Sequence, residues 1–269
     1  MSALSVFSGI DQAVFAAANQ IVGRSWTLDS LMALALESPV VKAGPLGALF
    51  LFAWFRLGGA KPVEVRRRVL AVTLLALFLV APVTKIVSEG RMEPRPVVLT
   101  HPGYGLRGGA LVESPRLEVR LLQTGELAGR AEALRQGRLT SNDFDAFPSD
   151  HAAIYVAMAL GIFLACRLAG ALALLWTAFV VLGLRVAVGM HWLSDILVGA
   201  AAGVALLVAL QFVGARFSKR LDPALLRWSQ RWQGATAAIL FLLLIEAAGP
   251  MKTMERLRDL VGGVIGGGS

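Results

Sequence analysis

The chain has 269 residues, of which 56% are hydrophobic and only 16% charged, and its formal net charge is +8. A soluble domain is nearer a quarter charged, and the apolar residues here come in long runs, so an ordinary soluble enzyme is excluded in favour of a polytopic membrane protein. The lone cysteine, Cys166, excludes an internal disulfide and any cysteine-based metal cluster, and the positive balance points to orientation and anionic lipid before nucleic acid.

In chain order, residues 4–22 carry Leu4, Phe7, Ile10, Val14, Phe15, Ala18 and Ile21 at helical spacing, with Asp11, Gln12, Asn19 and Gln20 elsewhere. That pattern predicts an amphipathic helix lying at the membrane interface, and its polar residues do not suit a cleavable signal. Residues 28–57 form a first span interrupted at Glu37-Ser38-Pro39. It is longer than the roughly 20 residues a bilayer needs, so a kink or an interfacial first half is expected. Glu37 and Lys42 read as snorkelling or mutually paired charges. A short basic loop, Lys61 to Arg68, precedes span two at about 69–88. A long polar segment follows, then spans three (about 149–166), four (168–188) and five (192–214). A second basic loop, Arg216 to Arg231, leads to span six at about 234–250.

The expected fold is therefore all-α. It is one membrane-embedded domain of six transmembrane helices, with an N-terminal interfacial helix and a long extracytoplasmic loop between spans two and three, of which 97–143 is an insertion. Short loops rich in Lys61, Arg66, Arg67, Arg68, Arg167, Arg216, Lys219, Arg220, Arg227 and Arg231 place spans one to six so that loops two and four face outward. Loop two is also rich in arginine, but long loops translocate largely regardless of charge. Residues 115–137 read as one amphipathic helix, lying on the membrane, capping a site, or simply solvated.

Chemistry-bearing residues gather at the span ends facing that loop. Pro94 and Pro96 bracket Arg95, stiffen the backbone and present the guanidinium in a fixed direction, which suits bidentate phosphate binding. Ser149, in Phe147-Pro148-Ser149-Asp150-His151, is a good N-cap, and a helix N-terminus favours an anion. His151 then stands in the first turn. Further on, His191 and Asp195 are four apart and share a helix face, so the aspartate can accept the ring N–H and fix the tautomer. Arg185 would point roughly 240° away from His191 on one continuous helix. Gly189 suggests a break, so that Arg185 ends one helix and His191 opens the next. His101 has no such context.

Arg95-Pro96, Pro148-Ser149-Asp150-His151 and Arg185 with His191 and Asp195 resemble the three-part signature of the type 2 phosphatidic acid phosphatase superfamily. Pro-Ser-Asp-His, Glu-Pro-Arg-Pro and the early Leu28-Asp29-Ser30-Leu31-Met32 resemble its bacterial undecaprenyl pyrophosphate phosphatases. The resemblance implies a metal-free phosphohistidine mechanism with no cofactor. It implies His191 as nucleophile, Asp195 as its orienting partner and His151 as general acid. Arg95, Arg185, Ser149 and Lys85 would hold phosphate, with Asp150 beside them. The family lysine usually precedes Arg-Pro by six residues, whereas nine separate Lys85 from Arg95, and Arg91 is a possible substitute. Asp150 stands where the family has glycine, and Leu184 where it has serine.

The expected activity is hydrolysis of a lipid phosphate or pyrophosphate, first of all undecaprenyl pyrophosphate, at the outer face of the plasma membrane. Substrate and membrane lipids are the expected partners, without nucleic acid or an obligate protein. Phosphatidylglycerol phosphate, phosphatidic acid or lipid A as substrate, a lipid phosphotransferase, and a transporter are the alternatives. Transport favours ionisable groups at mid-membrane, whereas these sit at span ends.

Overall fold

A computed structural model describes residues 3–89, 93–100, 103–107, 110–114 and 117–248. The regular elements among them are helices apart from one antiparallel hairpin, β1 (Gly103–Arg107) with β2 (Ala110–Ser114), in which Gly103 pairs with Ser114 and Arg107 with Ala110. Arg91, His101 and Arg116 lie outside the described residues.

The first helix, α1 (Ala3–Asn19), forms where expected, but its buried face differs from the apolar one. Asp11, Phe15 and Asn19 are buried, while Ile10 and Ile21 are 49% and 40% exposed. The polar groups turn inward because they have partners there, and the aliphatic ones face out, as suits a helix against lipid. Helices α2 (Trp26–Glu37) and α3 (Pro39–Phe55) are bent by 60° at Ser38. One residue causes this: the Ser38 N–H donates to Leu34 O and closes α2, while its Oγ accepts from Val41 N and opens α3. Pro39 at the first helical position has no N–H to lose there.

Helix α4 (Val63–Glu89) begins inside the predicted first basic loop. Helices α6 (Asp150–Ala165), α9 (Leu193–Arg216) and α11 (Gln233–Ala248) match predicted spans three, five and six. Span four is α7 (Arg167–Trp176), a π-helical stretch Thr177–Gly183 and a short α8 (Leu184–Ala187). By length and apolarity three helices can cross a membrane, Val63–Ser88, Arg167–Ala187 and Leu193–Arg216, and the bent α2–α3 pair makes a fourth. Helices α6 and α11 are apolar but shorter.

Helices α4, α6 and α9 pack on one another at the centre, with α3 and α7 outside them. Leu70, Leu77, Tyr155, Ile162 and Leu207 are buried there, while Phe179, Phe212, Phe241 and Leu242 are exposed, as lipid-facing residues are. Between helices in lipid the gain comes from close contact, because hydrocarbon is as apolar as leucine, so small residues mark the seams. On α9, Gly199 and Gly203 lie four apart against α6. A Cβ on either would come within 2.2 Å of a backbone oxygen, Ser149 O or Ala153 O respectively.

Two expectations about loops are corrected. The second basic loop is a helix, α10 (Ser218–Arg231), and the first is largely the opening of α4. Their arginines have structural work. Buried Arg66 donates to the carbonyls of Arg56, Gly58 and Lys61, buried Arg67 donates to Ser229 Oγ at 2.6 Å, and Arg68 pairs with Asp222 at 3.3 Å. The amphipathic helix expected over 115–137 is only α5 (Gly125–Arg135), and residues 117–122 form no regular element. This segment spends backbone groups on earlier helices instead of on a helix of its own. Asn19 Nδ2 donates to Arg120 O while the Arg120 N–H donates to Asn19 Oδ1, and Gln123 N donates to the fully buried Asp29. Glu37 Oε1 accepts from Leu127 N, so it caps α5 from α2. Lys42 does not reach the surface: it is 7% exposed on α3.

Candidate active site

The predicted break between Arg185 and His191 is present. The α8 helix closes with Gly189 N donating to Val186 O and Met190 N to Arg185 O. Gly189 has φ +79°, a left-handed conformation that glycine takes without penalty. Its carbonyl accepts from Val97 N at 3.0 Å, and a Cβ would press on that nitrogen at 3.1 Å. This turn ties the segment after Arg95-Pro96 to the segment before His191. Trp192 adds a second tie, donating its indole N–H to Pro94 O at 3.3 Å. His191 thus lies in the turn just ahead of α9, not within it.

His191 is buried, and its Nδ1 is 2.9 Å from Ala146 O. A carbonyl oxygen only accepts, so Nδ1 carries the proton and Nε2 keeps its lone pair. Asp195 Oδ2 is 3.8 Å from the same Nδ1 and accepts the Trp192 N–H at 2.8 Å. The hydrogen bond that fixes the ring is therefore a backbone carbonyl, with the aspartate holding the turn and standing behind it. Asp195 also uses its backbone: its carbonyl accepts from Ser149 N at 3.1 Å, joining the N-termini of α6 and α9.

At the start of α6, after a cis Phe147–Pro148 peptide, Ser149 caps the helix with Oγ accepting from Ala152 N at 3.3 Å. Asp150 turns onto its neighbour. Its Oδ1 is 2.7 Å from His151 Nδ1 and 2.6 Å from His151 N. A carboxylate there fixes the His151 proton on Nδ1 and leaves Nε2 to act. The imidazole lies parallel to the Tyr155 ring, with centroids 6.0 Å apart. Asp150 is thus a histidine-orienting group in this structure, a role that its substitution for glycine did not reveal.

The charges converge. Burial, then Arg95, and also Arg185 hold His191 well below the ordinary imidazole range, at about 3, against opposing effects of Asp150 and Ala146 O. Burial lowers Arg95, and the surrounding carboxylates Asp150, Asp145, Asp143 and Asp195 act against that. The Arg95 N–H is fixed on Asp143 O at 2.9 Å, and Asp143 in turn accepts from the Arg130 guanidinium. Arg185 is almost fully buried and donates one terminal nitrogen to Val181 O at 2.6 Å, while its Nε finds no acceptor among the described residues. A buried guanidinium N–H left unmatched is costly unless an anion takes it. The charges of Arg185, Asp150 and Lys42 all act on His151.

The structure therefore gathers His191, His151, Asp195, Asp150, Ser149, Arg95 and Arg185 at one end of the bundle. Lys85 stands apart at the rim, 3.0 Å from Asp145 Oδ2 and with its side chain 44% exposed. Sequence reasoning missed Ala146, which acts through backbone and leaves no side-chain signal. It also missed Asp11, whose carboxylate accepts from Ser194 N and Oγ at 2.9 and 2.6 Å and so anchors α9 to α1. Buried polar spacing on α1 was the available sign. Two imidazoles with their Nδ1 protons fixed stand beside two buried guanidiniums: a free Nε2 on one can attack a phosphoryl group, and the other, when it carries a proton on Nε2 as the imidazolium, can protonate what leaves.

No curated protein and no solved structure matches the chain. The profile of the PAP2 superfamily matches residues 67–218, more than half the chain and the span that holds all of these groups. Phosphatases acting on phosphate esters, often of lipids, make up that superfamily. Sequence pattern, helical membrane-type architecture and profile agree that this chain belongs to the PAP2 superfamily.

Proposed function

We propose that the protein is a metal-independent integral membrane phosphatase that removes the terminal phosphate of a lipid pyrophosphate, undecaprenyl pyrophosphate being the first candidate. The observation that carries this reading is His191, its Nδ1 proton held by Ala146 O at 2.9 Å and its Nε2 left open, with the charges of Arg95 and Arg185 acting on it. Cations hold a phosphoryl group and spread its charge, while an unprotonated Nε2 attacks in line. The P–N bond forms as the bridging P–O bond breaks, and His151, entering this step as the imidazolium with a second proton on Nε2, gives that proton to the departing lipid oxygen. Water then attacks the phosphohistidine, His151 takes a proton from it, and inorganic phosphate leaves with Nε2 restored.

The remaining topology follows the same reading. Helices α6 and α11 count as crossings beside the four longer ones, for six in all. The arginine-rich ends of α4 and α10 lie opposite the His151 and His191 end, and by the positive-inside rule this supports a site at the extracytoplasmic face of the plasma membrane. Purified protein in detergent should release phosphate from polyprenyl and glycerolipid phosphates, and His191→Ala should lose nearly all turnover. Substantial turnover by the variant refutes the nucleophile. Phosphate release with one lipid alone separates hydrolysis from transfer between lipids.

A further inference from the structure

His191 stands in a turn and not in a helix. The ladder of α8 stops before it and that of α9 starts after it, so the imidazole is placed by whatever holds that turn. Two ties from the Arg95 segment hold its middle, at Gly189 and Trp192. Its two ends are held by one face of α1. Before the turn, Asn19 Nδ2 donates to Ala187 O at 2.8 Å. Beyond it, the Asp11 carboxylate accepts the Ser194 N–H at 2.9 Å and the Ser194 hydroxyl at 2.6 Å. Between these contacts the Phe15 ring stands edge-on to Trp192, with centroids 5.8 Å apart.

Asp11, Phe15 and Asn19 are spaced four apart, so they form one stripe, and all three are buried. Membrane attachment does not account for that stripe. A helix that only lies at an interface turns its polar residues to water. Here Ile10, Ala13, Ala17 and Ile21 face outward, and the aspartate and asparagine face the protein. Burying a carboxylate and an amide is costly unless each is paired, and both find partners at the ends of this turn. The Asn19 amide is aimed by the Arg120 peptide, which donates to its Oδ1 at 2.7 Å and accepts from its Nδ2 at 2.9 Å. The amide N–H that remains goes to Ala187 O. Asp11 lies at the N-terminus of α9, where the helix dipole also favours a carboxylate.

Resting on the phosphatase reading above, we propose that α1 positions the nucleophile: Asp11 and Asn19 are positioning residues that hold the His191 turn at both ends and so set the approach of Nε2 to the phosphorus. Each acts through the turn and not on the phosphoryl group. The cations that hold phosphate in that reading are fixed elsewhere, Arg95 by its N–H on Asp143 O and Arg185 by its guanidinium on Val181 O. Loss of the α1 contacts therefore slows attack and leaves phosphate binding in place.

The test uses full-length protein in detergent with farnesyl diphosphate. It compares wild type, Asp11→Ala, Asp11→Asn, Asn19→Ala and Ser194→Ala, with Gln12→Ala, exposed on α1, as control. Inhibition by inorganic phosphate, read in the same preparations, reports whether the cations and the fold are intact. In Asp11→Ala and Asn19→Ala kcat should fall about 10- to 100-fold while the inhibition constant of phosphate stays within about threefold. Asp11→Asn should recover most of the rate, because its amide still accepts from Ser194 N and can donate to the hydroxyl. Ser194→Ala removes one of the two contacts and should lose about 3- to 10-fold in kcat. Unchanged kcat in both alanine variants of α1 overturns the positioning role and leaves the phosphatase reading standing. So does a parallel loss of kcat and phosphate inhibition, which marks a merely structural helix. Should those variants not fold, wild-type kcat in Ser194→Ala overturns the role. A wild type inert on farnesyl diphosphate overturns the phosphatase reading and this one together.

Discussion

Replacing Gly199 by alanine changes one methyl group, none of it in the chemistry, and still reaches the site. The new Cβ would lie 2.2 Å from Ser149 O, 3.1 Å from Ser149 C and 3.2 Å from Ser149 N. Ordinary carbon–oxygen contact begins near ~3.5 Å, and a backbone carbonyl in a helix cap cannot swing aside as a side-chain tip can. Helix α9 must therefore retreat from α6 by about 1 Å. The Ser149 N–H bond to Asp195 O, now 3.1 Å, then passes out of hydrogen-bonding range. Overpacking of this kind costs about 1–3 kcal/mol and the lost bond about 1 kcal/mol more. The catalytic effect is larger, because α9 carries Asp195 and the turn that holds His191 leads directly into it, while α6 carries His151. A 1 Å misplacement of reacting groups costs on the order of 100-fold. Phosphate release by purified Gly199→Ala should thus fall about 100-fold in kcat, with thermal unfolding in detergent lowered by a few degrees. Gly47→Ala, whose Cβ meets nothing within 4 Å, should match wild type in both assays. Wild-type turnover by Gly199→Ala would show that the α6–α9 seam does not set the geometry of the site.

Two further outcomes follow from the electrostatics. His191 is held at about 3 in the folded chain, against roughly 6.5 for a free imidazole, so below that value the unfolded chain binds a proton that the folded one refuses. Stability should fall as pH drops from about 6.5 toward 3, by up to about 1.4 kcal/mol per unit, and His191→Asn should flatten that slope. An identical slope in the variant refutes the buried neutral imidazole. Vanadate should compete with substrate because it adopts the geometry of the phosphoryl group in flight, and EDTA should not inhibit. Loss of activity on chelation, restored by Mg²⁺, would replace the metal-free mechanism with another.

The site was legible in the sequence where chemistry needs a particular side chain at a particular spacing. His191 and Asp195 stand at a helical interval, a glycine breaks the helix between Arg185 and His191, and Ser149 announces a helix start. The spans were legible because hydropathy is a sum over many residues. What could not be read are contacts made by backbone and by residues remote in sequence. Ala146 supplies an oxygen that any residue has, and Asp11 meets Ser194 across 183 positions. The contact that Asp150 makes was not legible because residue type alone does not name its partner, which is the adjacent histidine. Residues 117–123 carried a helical pattern but form no helix, since Asn19 and Asp29 offer the backbone N–H groups of Arg120 and Gln123 better-placed partners.

The clasp between Asp11 and Ser194 carries a consequence for how the molecule is made. Membrane insertion proceeds from the amino end, so the earliest helix leaves the ribosome with an aspartate whose counterpart has not yet been translated. The mount of His191 cannot be completed until the beginning of α9 emerges. A nascent chain halted before that point would carry Arg95, Arg185, His151 and the whole first half of the bundle, and on the proposed mechanism would still turn over nothing.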